Sequence, residues 1–74
     1  MPIKTEIARD VIIVACTEIA ENLRCAMTAA EAAGTLAAEG SHAGAIQALL
    51  DAEPHLHDAR KYLELAAFLN RKSA

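Results

Sequence analysis

Residues 9–24 read RDVIIVACTEIAENLR and place four β-branched side chains in succession inside a helical pattern. Around this stretch, apolar residues recur at alternating spacings of four and three, the period of a packed helix. A buried strand would also suit VIIV, but a strand needs a partner and no other stretch of the chain resembles one. The pattern predicts one helix over residues 5–38. Its predicted inward stripe consists of Ile12, Cys16, Ile19, Leu23, Ala26, Ala30, Ala33 and Ala37.

Two breaks divide the rest of the chain. Gly40 and Ser41 suit a helix end followed by a new N-cap, and Gly34 is a weaker candidate for the same end. Pro54 suits the first turn of a further helix. We therefore predict helices over 42–52 and 54–71, joined by short connections that favour antiparallel packing. The predicted fold of residues 1–74 is a single all-α domain, a helical hairpin whose return arm is broken near Pro54.

The return arm and the long helix each combine an apolar and a polar face. Ile46, Leu49 and Leu50 share one face of the short second helix. A polar stripe with the helical period runs along the long helix, namely Glu6, Asp10, Thr17, Glu21, Arg24, Thr28, Glu31 and Thr35. The last helix has a narrow polar face of His57, Arg60, Glu64 and Arg71, and its predicted inner face is Leu56, Ala59, Leu63, Ala66 and Ala67.

The apolar arcs are too wide for a hairpin alone. The long helix carries a second stripe about 130° from the first, and the arc of the last helix covers about 200°, whereas a surface helix needs about 100°. A chain of 74 residues also lies near the lower limit for a stable core. We therefore predict a homodimer in a four-helix-type bundle. Its predicted interface is Val11, Ile13, Val14, Cys25, Leu36, Tyr62, Leu65, Phe68 and Leu69.

Composition predicts a cytoplasmic protein that does not enter membranes. No run of about 18 apolar residues is present, and the first ten residues carry acids where a signal peptide needs a basic region. The net charge of −3 argues against a general affinity for nucleic acid. Cys16 and Cys25 lie on opposite faces of one helix, too far apart to form a disulfide, which suits a reducing compartment.

Residues 51–61, DAEPHLHDARK, concentrate the residue types that bind metals. His55 and His57 are two positions apart and diverge by about 200° on a helix, so they could face one ion together only if the turn around Pro54 is irregular. His55 and Asp58 could supply two ligands and would need others. We expect no metal and no cofactor, with His55, His57 and Asp58 as the weak candidates. The sequence also lacks a nucleophile–base arrangement and a glycine-rich phosphate loop, so we predict no enzymatic activity.

The remaining interpretation is a non-enzymatic protein–protein interaction module that acts through apolar helix faces. Such a module could be a small helical adaptor, an assembly chaperone or an inhibitor of a larger complex. The alternative is a small nucleic-acid-binding transcriptional regulator that uses the helix pair of residues 42–71. In that alternative Glu53 and Asp58 would face phosphates with only Arg60 and Lys61 to offset them. A salt-dependent shift of DNA mobility separates the two hypotheses.

Overall fold

Three helices span most of residues 4–72, the part of the chain that the computed structural model describes. They are α1 (Thr5–Ala38), α2 (His42–Leu50) and α3 (Glu53–Lys72). No strand occurs among the described residues, so the prediction of an all-α fold is confirmed. The helix bounds differ from the predicted ones by at most two residues, and the largest difference is at the end of α2, where residues 51–52 form a turn.

Gly40 reverses the chain after α1. Its φ of 88° lies in the left-handed region, which a residue without Cβ adopts without strain. The Gly40 amide donates to the Ala37 carbonyl (3.0 Å) and the Ser41 amide donates to the Leu36 carbonyl (2.9 Å). These two bonds form a Schellman motif, in which carbonyls at the end of a helix find partners. Gly34 lies inside α1, so of the two candidates Gly40 ends the helix.

The return arm, made of α2 and α3, bends at the turn between them. The Ala52 amide donates to the Leu49 carbonyl (3.0 Å), and the Leu56 amide donates to the Ala52 carbonyl (3.1 Å). Pro54 lies in the first turn of α3, where backbone amides have no acceptor within the helix. Proline, which has no N–H, therefore removes no helical hydrogen bond there. Both helices of the arm contact α1, which confirms a hairpin of one long helix and one bent arm.

The seam, the line along which α1 and the return arm meet, is built from alanine. The four buried residues of α1 are separated by seven, eleven and seven residues. Because seven plus eleven residues make five complete helical turns, all four lie on one side of a straight helix. The buried alanines of the arm are seven apart across the break, so the bend leaves the same side of the arm facing α1. The buried residues are Ala8, Ala15, Ala26 and Ala33 on α1, and Ala45, Ala52, Ala59 and Leu69 on the arm.

On α1 the seam runs between the two stripes that the sequence predicts. Ala26 and Ala33 are buried as predicted, and Ile12 and Ile19 are half-buried. For the other half of the predicted inward stripe the prediction is wrong, because these side chains are exposed. Small side chains at the contact allow two helix axes to approach closely, and larger side chains are then displaced to the flanks. The exposed members are Cys16, Leu23, Ala30 and Ala37.

The return arm is also rotated about its axis relative to the prediction. Leu56 and Leu63 were predicted to face α1, but 52% and 60% of their surfaces are exposed. Tyr62, half-buried, and Leu69, buried, face the seam instead. The inner face of α3 is therefore centred on the line from Ala52 to Leu69, and the leucines predicted to fill the interior lie beside it.

The hairpin is a single layer of helices. Its extents are 55 × 15 × 11 Å and its radius of gyration is 16.8 Å, whereas a globular chain of this length has about 11 Å. Its accessible surface of 5428 Å² exceeds the roughly 4,400 Å² expected of a globular monomer of 7.8 kDa. Two broad faces, one on each side of the seam, consequently remain uncovered.

Candidate functional site

A groove of about 420 Å³ lies on one broad face, between the C-terminal half of α1 and α2. Small residues of α1 form its floor, and Ile46 and Leu49 form its wall on α2. His42 lies at the end that is nearest the turn. The groove shows which flank of α1 and which flank of the arm share one side of the hairpin. The residues of α1 that line it are Ala30, Ala33, Gly34 and Ala37.

The same side continues as an apolar face from the turn to residues 16 and 63. On α1, positions seven residues before Ala30 and Gly34 carry Leu23 and Met27, and a helix returns to nearly the same side after seven residues. On the arm, Leu49 continues at the same interval to Leu56 and Leu63, parallel to the buried alanines. We call these residues the apolar face: Cys16, Leu23, Met27, Ala30, Gly34, Ala37, Ile46, Leu49, Leu56 and Leu63.

The apolar face combines large exposed side chains with an absence of charge. Its leucines, its isoleucine and its methionine are between 46% and 60% exposed. None of its ten members carries a charge. Scattered apolar residues are normal on a protein surface, whereas large contiguous apolar patches are typical of interaction surfaces.

The outer edges of both arms are polar and satisfy their own hydrogen bonds. The hydroxyls of Thr17, Thr28 and Thr35 donate to carbonyls four residues earlier in α1, at 3.1–3.2 Å. Exposed ion pairs join Arg24 to Glu21 and Arg60 to Glu64. Because these polar groups find hydrogen-bond partners within the hairpin, the outer edges can stay in water without a partner protein.

The other broad face, the mixed face, carries several residues of the predicted dimer interface. Val14, Leu65 and Phe68 are 58%, 41% and 45% exposed there. They lie among charges: a shallow pocket of about 500 Å³ is lined by Asp58 and Lys61 together with Tyr62 and Leu65. The Lys72 ammonium lies 5.8 Å from the centre of the Phe68 ring.

The remaining predicted interface residues differ in exposure. Val11, Cys25, Leu36 and Tyr62 are half-buried along the seam, and Leu69 is buried in it. Ile13 is 56% exposed on the outer side of α1. Within the hairpin, therefore, Tyr62 and Leu69 serve the contact with α1, and only the exposed members of the set are free to meet a second protein.

One polar contact crosses the middle of the seam. The Nδ1 of His55 lies 3.2 Å from the Oδ1 of Asn22, to which it donates when that nitrogen carries the proton. The Asn22 amide group in turn donates to the Glu18 carbonyl at 2.9 Å. A polar residue inside an apolar seam fixes the register of two helices, because any slip leaves it without a partner. The sequence pattern did not reveal the partner of Asn22.

The residues that were weak metal candidates are not brought together. His55 is bonded in the seam, whereas His57 and Asp58 are exposed. Among residues 4–72, no three His, Cys, Asp or Glu side chains are grouped closely enough to hold a metal ion. Cys16 is exposed and Cys25 is half-buried, and both are free thiols.

None of the three helices carries, within the described residues, an apolar stretch that meets the requirements of a bilayer span. Comparisons of the chain with protein-family models, curated proteins and solved structures find no match.

Proposed function

We propose that this protein is a non-enzymatic protein–protein interaction module that acts through its apolar face. One observation carries the proposal: the small alanine side chains fill the seam, while the larger side chains of leucine, isoleucine and methionine lie on the surface. Each large apolar side chain contributes about 1.5–3 kcal/mol when it moves from water to a fully buried position. These side chains are 46–60% exposed, so about half of that free energy is unused in the isolated hairpin and becomes available on association.

The size of the uncovered surface fits this role. The accessible surface exceeds that of a globular monomer of the same mass by roughly 1,000 Å². A protein interface of standard size buries about 800 Å² on each partner. The proposed partners are a second copy, in a four-helix-type bundle, and another protein for which the module serves as adaptor, assembly chaperone or inhibitor. We place the interface on the apolar face, because it is uncharged, in preference to the mixed face.

A comparison of matched baits tests the proposal. Tagged wild-type protein, Leu63→Glu and Thr17→Glu would each capture proteins from the native cell extract, followed by quantitative mass spectrometry. Leu63 lies on the apolar face and Thr17 on the polar edge, and each variant adds one negative charge to an exposed position. We expect polypeptides, which can include the endogenous chain, that the wild type and Thr17→Glu retain and Leu63→Glu loses. Identical capture by all three baits contradicts the proposal.

A further inference from the structure

The two halves of the hairpin differ in charge. The contact between Asn22 and His55 divides the hairpin into a turn half and an open half, and residues 22–55, the turn half, contain four acidic residues and one Arg. The rest of the chain, the open half, contains six basic and six acidic residues. Arg71 and Lys72 close the arm at the open end, where Lys4 and Arg9 also lie, whereas Glu31 and Glu39 lie toward the turn. The turn half therefore carries a net charge of −3, and the open half carries no net charge.

The centre of the hairpin is marked by the contact between Asn22 and His55. Leu23 and Leu56 are the next residues along the chain from this pair, so each arm places a leucine of the apolar face at the midpoint of the hairpin. Cys16 and Ala30 lie seven residues before and after Leu23, and Leu49 and Leu63 lie seven residues before and after Leu56. A copy turned end for end about this midpoint therefore places like positions opposite each other across a two-fold axis.

We infer that the occupant of the apolar face is a second copy of this chain, packed face to face and turned end for end. In this arrangement the acidic turn half of each copy lies over the open half of the other, which has no net charge. The parallel arrangement would bring the two acidic turn halves together, which electrostatic complementarity disfavours. The inference rests on the proposed function, and it adds to it the identity and direction of one partner.

The area is sufficient for such a dimer. The broad face of the hairpin measures 55 Å by 15 Å, a footprint of roughly 800 Å² per copy and the value typical of a stable interface. At the two-fold axis Leu23 meets Leu23 of the partner subunit, and Leu56 meets Leu56 of the partner subunit. Toward the ends, Leu49 comes opposite Leu63 of the partner subunit and Cys16 opposite Ala30 of the partner subunit.

A disulfide experiment tests the direction of packing. In a chain with Cys16→Ala and Cys25→Ala, Leu23→Cys introduces a single thiol next to the proposed axis, and Thr17→Cys introduces one on the polar edge. Under mild oxidation we expect Leu23→Cys to form a covalent dimer rapidly and Thr17→Cys to remain unlinked. In a parallel dimer Leu23 would face Leu56 of the partner subunit, so Leu23→Cys would stay unlinked and only the pair Leu23→Cys with Leu56→Cys would react.

A distance measurement provides a second readout that does not depend on disulfide formation. A spin label at Arg71→Cys, in the same cysteine-free chain, marks the open end. The proposed dimer separates the two labels by a distance approaching the 55 Å length of the hairpin. A parallel dimer brings them within about 25 Å, two helix diameters, and overturns the inference. A monomer at tens of micromolar also overturns it, whereas the proposed function fails only when the matched baits capture the same proteins.

Discussion

Gly40 is the residue at which the chain reverses, since its left-handed backbone allows both bonds of the Schellman motif to form. An ordinary L-residue in this conformation lowers the free energy of unfolding by about 1–2 kcal/mol, because its Cβ comes too close to the backbone. Asparagine adopts the conformation at a smaller cost. We expect Gly40→Ala to lower the free energy of unfolding by about that amount. Gly40→Asn should have a smaller effect. Urea unfolding at one protein concentration measures both, and equal losses for the two variants would contradict the assignment.

Asn22 and His55 make the second residue-scale prediction. A half-buried hydrogen bond contributes about 0.5–1.5 kcal/mol, so a double-mutant cycle of Asn22→Ala and His55→Ala should give a coupling energy in this range. His57→Ala, which removes an exposed histidine two positions away, should change the unfolding free energy by less than about 0.5 kcal/mol. A coupling energy near zero would mean that the contact does not hold the register.

At the scale of the elements, the alanine seam sets how closely α1 and the return arm approach. Ala15 is 1% exposed in the seam, whereas Ala20 is exposed on the same helix. We expect Ala15→Leu to force the helices apart and to lower the unfolding free energy by about 1–3 kcal/mol. Ala20→Leu makes the same chemical change with little effect. Thermal unfolding followed by circular dichroism compares the two, and an unchanged midpoint for Ala15→Leu would rule out close packing at this position.

At the scale of the whole molecule, the single-layer hairpin exposes large apolar side chains on both broad faces. A substitution to glutamate should have different effects on the two faces, because we place the interface on only one of them. Leu63→Glu places a charge in the proposed interface, where its burial without a partner is unfavourable. Val14→Glu places it on the mixed face, and Thr17→Glu on the polar edge. By size exclusion with light scattering, we expect Leu63→Glu to be a monomer and the other two variants to remain dimers. Dissociation by Val14→Glu alone would assign the interface to the mixed face.

Several features of this protein were decided by the sequence itself. The periodic apolar pattern from residue 12 to residue 37 predicts α1, Gly40 ends it, and Pro54 begins the last helix within one residue of its observed start. The polar stripe is also where the pattern predicts it, because threonines and charged side chains have no reason to leave water. These features depend on local backbone preferences and on the contrast between polar and apolar residues, which a single sequence displays.

Only the tertiary structure decided how each helix is rotated about its axis. Alanine and leucine both count as apolar in a sequence pattern, and the apolar arcs are wide enough to allow several rotations. Packing chose the rotation that buries Ala15 and Ala59 and leaves Leu23 and Leu63 outside. The apolar face and the Asn22–His55 contact follow from that rotation. The physical reason is that close approach of two helices depends on the size of the side chains between them, a property of the pair that neither helix shows alone.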